Sequence, residues 1–152
     1  MHQRCNAFSL IELLATMALV ATLAALLAPG LTGLVQRSRA DTDMNNLARA
    51  LNYAHLEALE RGQRVRVLPG MSELGWAGEL NVLADDDSLL RKVPAMSRGA
   101  RVVAPGLAAV DFDALGGLAQ SGSMAVISYE LGAINRSLVV CINGRVVQGR
   151  TC

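Results

Sequence analysis

Three sets of side chains in this 152-residue chain could do chemistry. The first is a single carboxylate, Glu12, near the start of an otherwise uncharged apolar run from Phe8 to Ala28. A charge within a membrane-spanning stretch costs about 2.5 to 3.5 kcal/mol at mid-depth, so one that persists calls for a cationic partner. The second set is the cysteines, Cys5, Cys141 and Cys152. The third is the arginines Arg136, Arg145 and Arg150, which follow the last acidic residue, Glu130, and make the C-terminal segment basic. Thirteen of the 14 basic residues are Arg, which suits bidentate contact with phosphate better than Lys does. Catalytic chemistry has little to draw on. The two histidines are His2 and His55, and no phosphate loop, nucleophile elbow or metal-ligand cluster is present, which gives no catalytic residues, no metal and no cofactor. Asp85, Asp86 and Asp87 lack the interleaved spacing of a calcium loop and read as a solvated turn.

These groups must be positioned by a small number of elements. As a helix, Phe8 to Ala28 would cover about 31 Å, close to the hydrocarbon thickness of a bilayer. A cleaved secretory signal is the competing reading, with Ala24, Ala25 and Ala28 offering small residues, but its apolar core is normally only about 7 to 15 residues. Arg4 lies before the run and favours a cytoplasmic N-terminus, which sends the rest of the chain across the membrane. Pro29 and Gly30 interrupt the pattern and imply a kink or local melting. Beyond them Met44, Leu47, Leu51, Ala54 and Ala58 recur at spacings of three or four, an amphipathic helix that Gly62 would end. Glu57 and Arg61 add an i,i+4 pair in the favourable order. One long helix is therefore expected from Phe8 to Arg61.

After it, Gly and Pro punctuate short apolar or alternating runs. Strands are expected at Arg64–Leu68, Trp76–Leu83, Leu89–Val93, Arg101–Ala104, Val110–Phe112, Met124–Tyr129, Leu138–Ile142 and Arg145–Gln148. Trp76 reads as a core or strand-edge aromatic. The fold class is α+β: a long N-terminal helix, transmembrane in its first half and amphipathic in its second, packed on a small C-terminal antiparallel β domain.

Ala7, Phe8, Ser9, Leu10, Ile11, Glu12, Leu13 and Leu14 resemble the leader junction of type IV pilins and type II secretion pseudopilins. The resemblance implies that prepilin peptidase cuts between Ala7 and Phe8, that Phe8 is N-methylated, and that Glu12 pairs with an N-terminal amine as subunits bundle. Ala7 stands where the family has Gly. The implied divisions are a leader at 1–7, a membrane or filament-core half-helix at 8–29, an amphipathic half at 30–62 and a periplasmic β domain at 63–152. Cys5 would leave with the leader, and Cys141 and Cys152 would remain as a pair in an oxidising compartment, expected to be bonded.

Gly75-Trp76, Asp85, Asp111-Phe112, Cys141 and Gly144-Arg145 further resemble the GspH/FimT group of minor pilins and pseudopilins. That resemblance implies a structural subunit, not an enzyme, in the bacterial inner membrane and then in a pilus or pseudopilus. Its partners would be other pilins, prepilin peptidase and the membrane, with no small-molecule substrate. The FimT branch binds DNA through C-terminal arginines, which makes Arg136, Arg145 and Arg150 the candidate DNA contacts in an alternative role in DNA uptake. The family ending Gly-Arg-x-Arg is not matched, because Val146 and Val147 follow Arg145 and the next arginine is Arg150. Without Arg4 the chain carries 13 basic and 13 acidic side chains, so no overall field draws it to a polyanion.

Overall fold

The computed structural model describes residues 9–71, 73–119, 124–149 and 151–152, without the side chains of 26–31. The chain divides into two units between Val35 and Gln36, and one helix, α1 (Leu10–Arg61), runs through both. Ala7, Phe8 and Arg150 lie outside the described residues.

In the first unit α1 is rich in Leu and Ala, both strong helix formers, and remains helical through Pro29 and Gly30. No residue of 10–25 is buried. Ile11 is 74% exposed and Met17 64%. No helix of the described residues is long and apolar enough to cross a membrane. The expected span Phe8–Ala28 includes Phe8 and the side chains of Leu26, Leu27 and Ala28, which lie outside the described residues.

The second unit gives α1 a partner. Ala40, Met44, Leu47, Ala50, Leu51, Ala54 and Ala58 are all buried, on the face their spacing predicts. The alanines keep that face narrow, so the sheets can approach closely. Gly62, at φ +60, ends the helix in the left-handed conformation that glycine adopts without strain. The Arg61 and Glu57 side chains meet at 2.6 Å over the last turn.

Among the described residues eight antiparallel strands follow: β1 (Val65–Pro69), β2 (Leu80–Ala84), β3 (Leu89–Val93), β4 (Arg101–Val103), β5 (Val110–Phe112), β6 (Ala125–Leu131), β7 (Ile134–Val140) and β8 (Val146–Gln148). They form two sheets, ordered β3-β2-β1-β5 and β4-β6-β7-β8. Alternation puts Val65 and Val67, Leu80 and Val82, Val110 and Phe112, and Ala125, Ile127 and Tyr129 inside, in one core with the buried face of α1. The fold is α+β, as expected.

Three strand expectations need correction. Trp76 is not in a strand: Gly75–Ala77 is a single 3-10 turn, opened by Gly75 at φ +52, and β2 begins only at Leu80. The turn buries Trp76 and lets its indole Nε1–H donate to the Leu107 carbonyl at 2.9 Å. β7 starts at Ile134, well before Leu138, because Gly132 at φ +60 closes a two-residue hairpin between Leu131 and Ile134. Polar Asn135, Arg136 and Ser137 hid that start. Ile142 and Arg145 belong to the turn between β7 and β8, not to the strands.

Candidate functional site

Glu12 sits in the first turn of α1, where its backbone N–H donates to the Ser9 carbonyl at 3.0 Å. A carboxylate there meets the positive end of the helix dipole, a favourable placement that needs no second subunit. Its side chain is exposed and has no ion-pair partner among the described residues. Further along, the Thr16 and Thr22 hydroxyls donate at 2.8 Å to the Leu13 and Leu19 carbonyls. These hydroxyls are satisfied within their own helix, unlike the exposed Glu12 carboxylate.

The terminal loop is built differently. Cys141 and Cys152 are disulfide-bonded, with Cα atoms 5.8 Å apart, so the expected pairing is present. Between β7 and β8 the chain reverses through Ile142, Asn143, Gly144 and Arg145. The Gly144 N–H donates to the Cys141 carbonyl and the Cys141 N–H to the Arg145 carbonyl, both at 2.8 Å. The Asn143 side chain accepts from the Arg145 N–H at 3.1 Å. Gly144, at φ +79, is pressed onto the helix: a Cβ there would fall 1.9 Å from the Gly116 carbonyl oxygen and 2.4 Å from His55 Nδ1. His55 Nδ1 and the Gly116 carbonyl oxygen lie 2.8 Å apart. A carbonyl can only accept, so Nδ1 carries the proton and donates. The ring also meets Phe112 edge-on at 5.8 Å. The turn is thus held by the helix, by the loop after β5 and by the disulfide.

Arg145 projects from this turn, exposed and without an ion pair among the described residues. With Met124, Cys141, Ile142, Asn143 and Cys152 it lines a mainly apolar cavity of about 400 Å³. Arg136 is elsewhere. It pairs with Asp41 of α1 at 3.2 Å and lines a polar groove of about 670 Å³ with Asn45, Glu130 and Gln148. Val140 pairs with Val146 while Arg136 pairs with Tyr129, so Arg136 and Arg145 stand at opposite ends of β7. Five residue steps lead from Arg136 to Cys141, about 17 Å at 3.4 Å per step. The structure does not bring the two arginines together.

Two further residues escaped the sequence. Asp43 is buried and accepts from the Tyr129 hydroxyl at 2.7 Å and the Ser97 N–H at 3.0 Å, tying α1 to β6 and to the loop after β3. Burial first, and Asp43 second, push the Tyr129 hydroxyl pKa well above its ordinary value. The signal was a carboxylate among Ala40, Met44 and Leu47 on the apolar face. The second residue, His55, had no signal beyond a polar side chain near that face. Among the described residues no group of three or more His, Cys, Asp or Glu could hold a metal ion.

Residues 43–145 match the family described as Type II transport protein GspH. The chain belongs to the GspH family. Residues 2–28 of this GspH-family chain match the prokaryotic N-terminal methylation motif, which contains the Glu12 region. Two crystal forms of the type IV minor pilin FimU from Pseudomonas aeruginosa strain PAO1 share the fold. One aligns with a TM-score of 0.66 at 17% identity, covering 77% of this chain and 92% of FimU. The other gives 0.60 at 19% identity, covering 75% and 92%. No curated protein gives a significant match. The GspH-family chain thus shares its fold with FimU and carries the matched N-terminal methylation motif.

Proposed function

We propose that this protein is a structural subunit that primes or joins a type IV pilus or a type II secretion pseudopilus. The supporting observation is the uncovered helix: residues 10–25 present Leu, Ile, Val and Met side chains all round, with one carboxylate in the first turn. Such a surface is stable in water only at a large hydrophobic cost, so lipid or neighbouring helices complete it. In this reading Phe8–Ala28 spans the inner membrane, with the N-terminus cytoplasmic and the β domain periplasmic. Prepilin peptidase cuts between Ala7 and Phe8, and Phe8 is methylated. The new ammonium group then offsets the cost of burying Glu12 as the subunit enters a filament, and the pair sets its axial register. A bend at Pro29 and Gly30 would let the two halves of α1 follow different surroundings. Intact mass measurement of the protein from host membranes tests the processing: a chain beginning at N-methylated Phe8 supports it, and a chain retaining Met1 contradicts it.

A second reading, capture of DNA for uptake, draws on Arg145, held out on a rigid turn without a counterion among the described residues. Arg136 is committed to Asp41, which leaves Arg145 and Arg150 as its carriers. Loss of salt-sensitive binding by full-length protein on Arg145→Ala plus Arg150→Ala would support capture, and absence of binding at low salt would discard it.

A further inference from the structure

The cations of the β domain are not equivalent. Arg61, Arg64, Arg66 and Arg136 are each paired with a carboxylate, on Glu57, Asp111, Asp87 and Asp41. Arg49 and Arg91 have no such partner among the described residues, yet both line one cavity of about 110 Å³ between α1 and the edge strand β3. Asn46, Arg49, Ala50 and Tyr53 follow one another at spacings of three, one and three, which places them on one stripe of α1.

Neighbouring groups keep the Arg91 guanidinium available. The Arg91 guanidinium carbon lies 5.1 Å from the centroid of the Tyr53 ring. A ring attracts the cation through its face but accepts no strong hydrogen bond, so the N–H edges of Arg91 remain free to donate. Glu57, one turn beyond Tyr53, is occupied by Arg61 and by the Tyr53 hydroxyl, which together hold its carboxyl below the usual range. Lys92 also lines the cavity, but its ammonium is paired with Glu79 at 3.0 Å. Among the described residues no acidic side chain lines the cavity.

We propose that the cavity between α1 and β3 is a phosphate site, in which Arg49 and Arg91 clamp inorganic phosphate or a phosphomonoester and the Asn46 amide adds a donor. Two unpaired guanidinium groups match a group carrying about −1.5 to −2 charges at pH 7, whereas one carboxylate would leave a cation uncompensated. The cavity has room for one such group and not for an extended chain. Because Arg49 is on the helix and Arg91 on the edge strand, the bound anion ties α1 to β3. Ligand that binds only the folded state raises the unfolding temperature.

The test is calorimetric titration of the full chain in a neutral detergent with sodium phosphate, ionic strength held constant with sodium chloride. Glycerol 3-phosphate serves as the monoester probe. One saturable site per chain is expected. Arg49→Gln or Arg91→Gln should weaken it about 10- to 100-fold, as expected for loss of charge-assisted hydrogen bonds. Arg98→Gln, an equal charge change at an exposed position outside the cavity, should leave it intact. Tighter binding of glycerol 3-phosphate identifies a phosphomonoester as the ligand, and tighter binding of inorganic phosphate identifies the free ion; either supports the site. The proposal is overturned if no saturable uptake occurs, if Arg98→Gln weakens binding as much as the cavity variants, or if only an oligonucleotide binds.

Discussion

Residues 10–25 and 36–61 belong to the same helix and both contain several Ala and Leu residues, yet their surfaces have opposite fates. In the first stretch no side chain is buried; in the second, Leu47 and Leu51 are almost wholly removed from water. The difference lies in pattern. From Ala40 onward most apolar residues share one face, Leu56 and Leu59 being exposed, and Arg49, Asn52 and Glu60 take the other, so one pair of sheets can cover the buried face. From Leu10 to Ala25 apolar residues occupy every face, and no single intramolecular partner could cover them. The second stretch is completed by folding; in the proposed function the first is completed by what lies outside the chain.

The largest expected contrast tests this directly. Leu47→Ala should destabilise the β domain by about 2 to 5 kcal/mol through the lost contacts and the cavity left behind. The buried single tryptophan, Trp76, reports it in urea unfolding of the full chain in detergent. Leu14→Ala should leave that transition unmoved while lowering recovery of the protein in filaments. Equal unfolding effects would erase the distinction.

Next in size is the bridge that closes the terminal loop. Cys152→Ala should cost about 2 to 4 kcal/mol, by the same Trp76 fluorescence, without changing membrane insertion. Tyr129→Phe should cost about 1 to 3 kcal/mol by leaving the buried Asp43 carboxylate with the Ser97 N–H alone. It also carries a pH signature. The Tyr129 pKa is raised in the folded state, so its stabilisation is complete below the unfolded value of about 10 and declines as pH rises from there towards the folded value. Tyr129→Phe should flatten that alkaline decline. The smallest effect is at the helix end: Glu57, lowered by Arg61 first and Tyr53 second, contributes above its unfolded pKa, and the contribution is lost as pH falls through the folded value. Glu57→Gln should remove only this slight acid sensitivity.

Much of this architecture was legible because it follows from periodicity. The buried face of α1 from Met44 to Ala58, its stop at Gly62, and the strands β3 and β5 rest on spacings that local physics enforces. What escaped depends on contacts across long sequence separations. Trp76 has an apolar strand-like context, but Gly75 at positive φ turns it into the core. The clamp at Gly144 involves Gly116 and His55, and nothing in a glycine announces which backbone it approaches. Arg136 and Arg145 look like one basic segment in sequence, whereas the antiparallel return of β8 puts them at opposite ends of β7. Glu12 was legible as an anomaly, and its place in the first turn adds a favourable contact with the helix dipole.

The central claim is that the first stretch of α1 is completed by assembly through Glu12. The most direct measurement is the amount of full-length Glu12→Leu protein in the inner membrane and in sheared filaments of the host, each relative to the unsubstituted chain. The account predicts a normal membrane level with a large loss from filaments. Normal incorporation into filaments would contradict it.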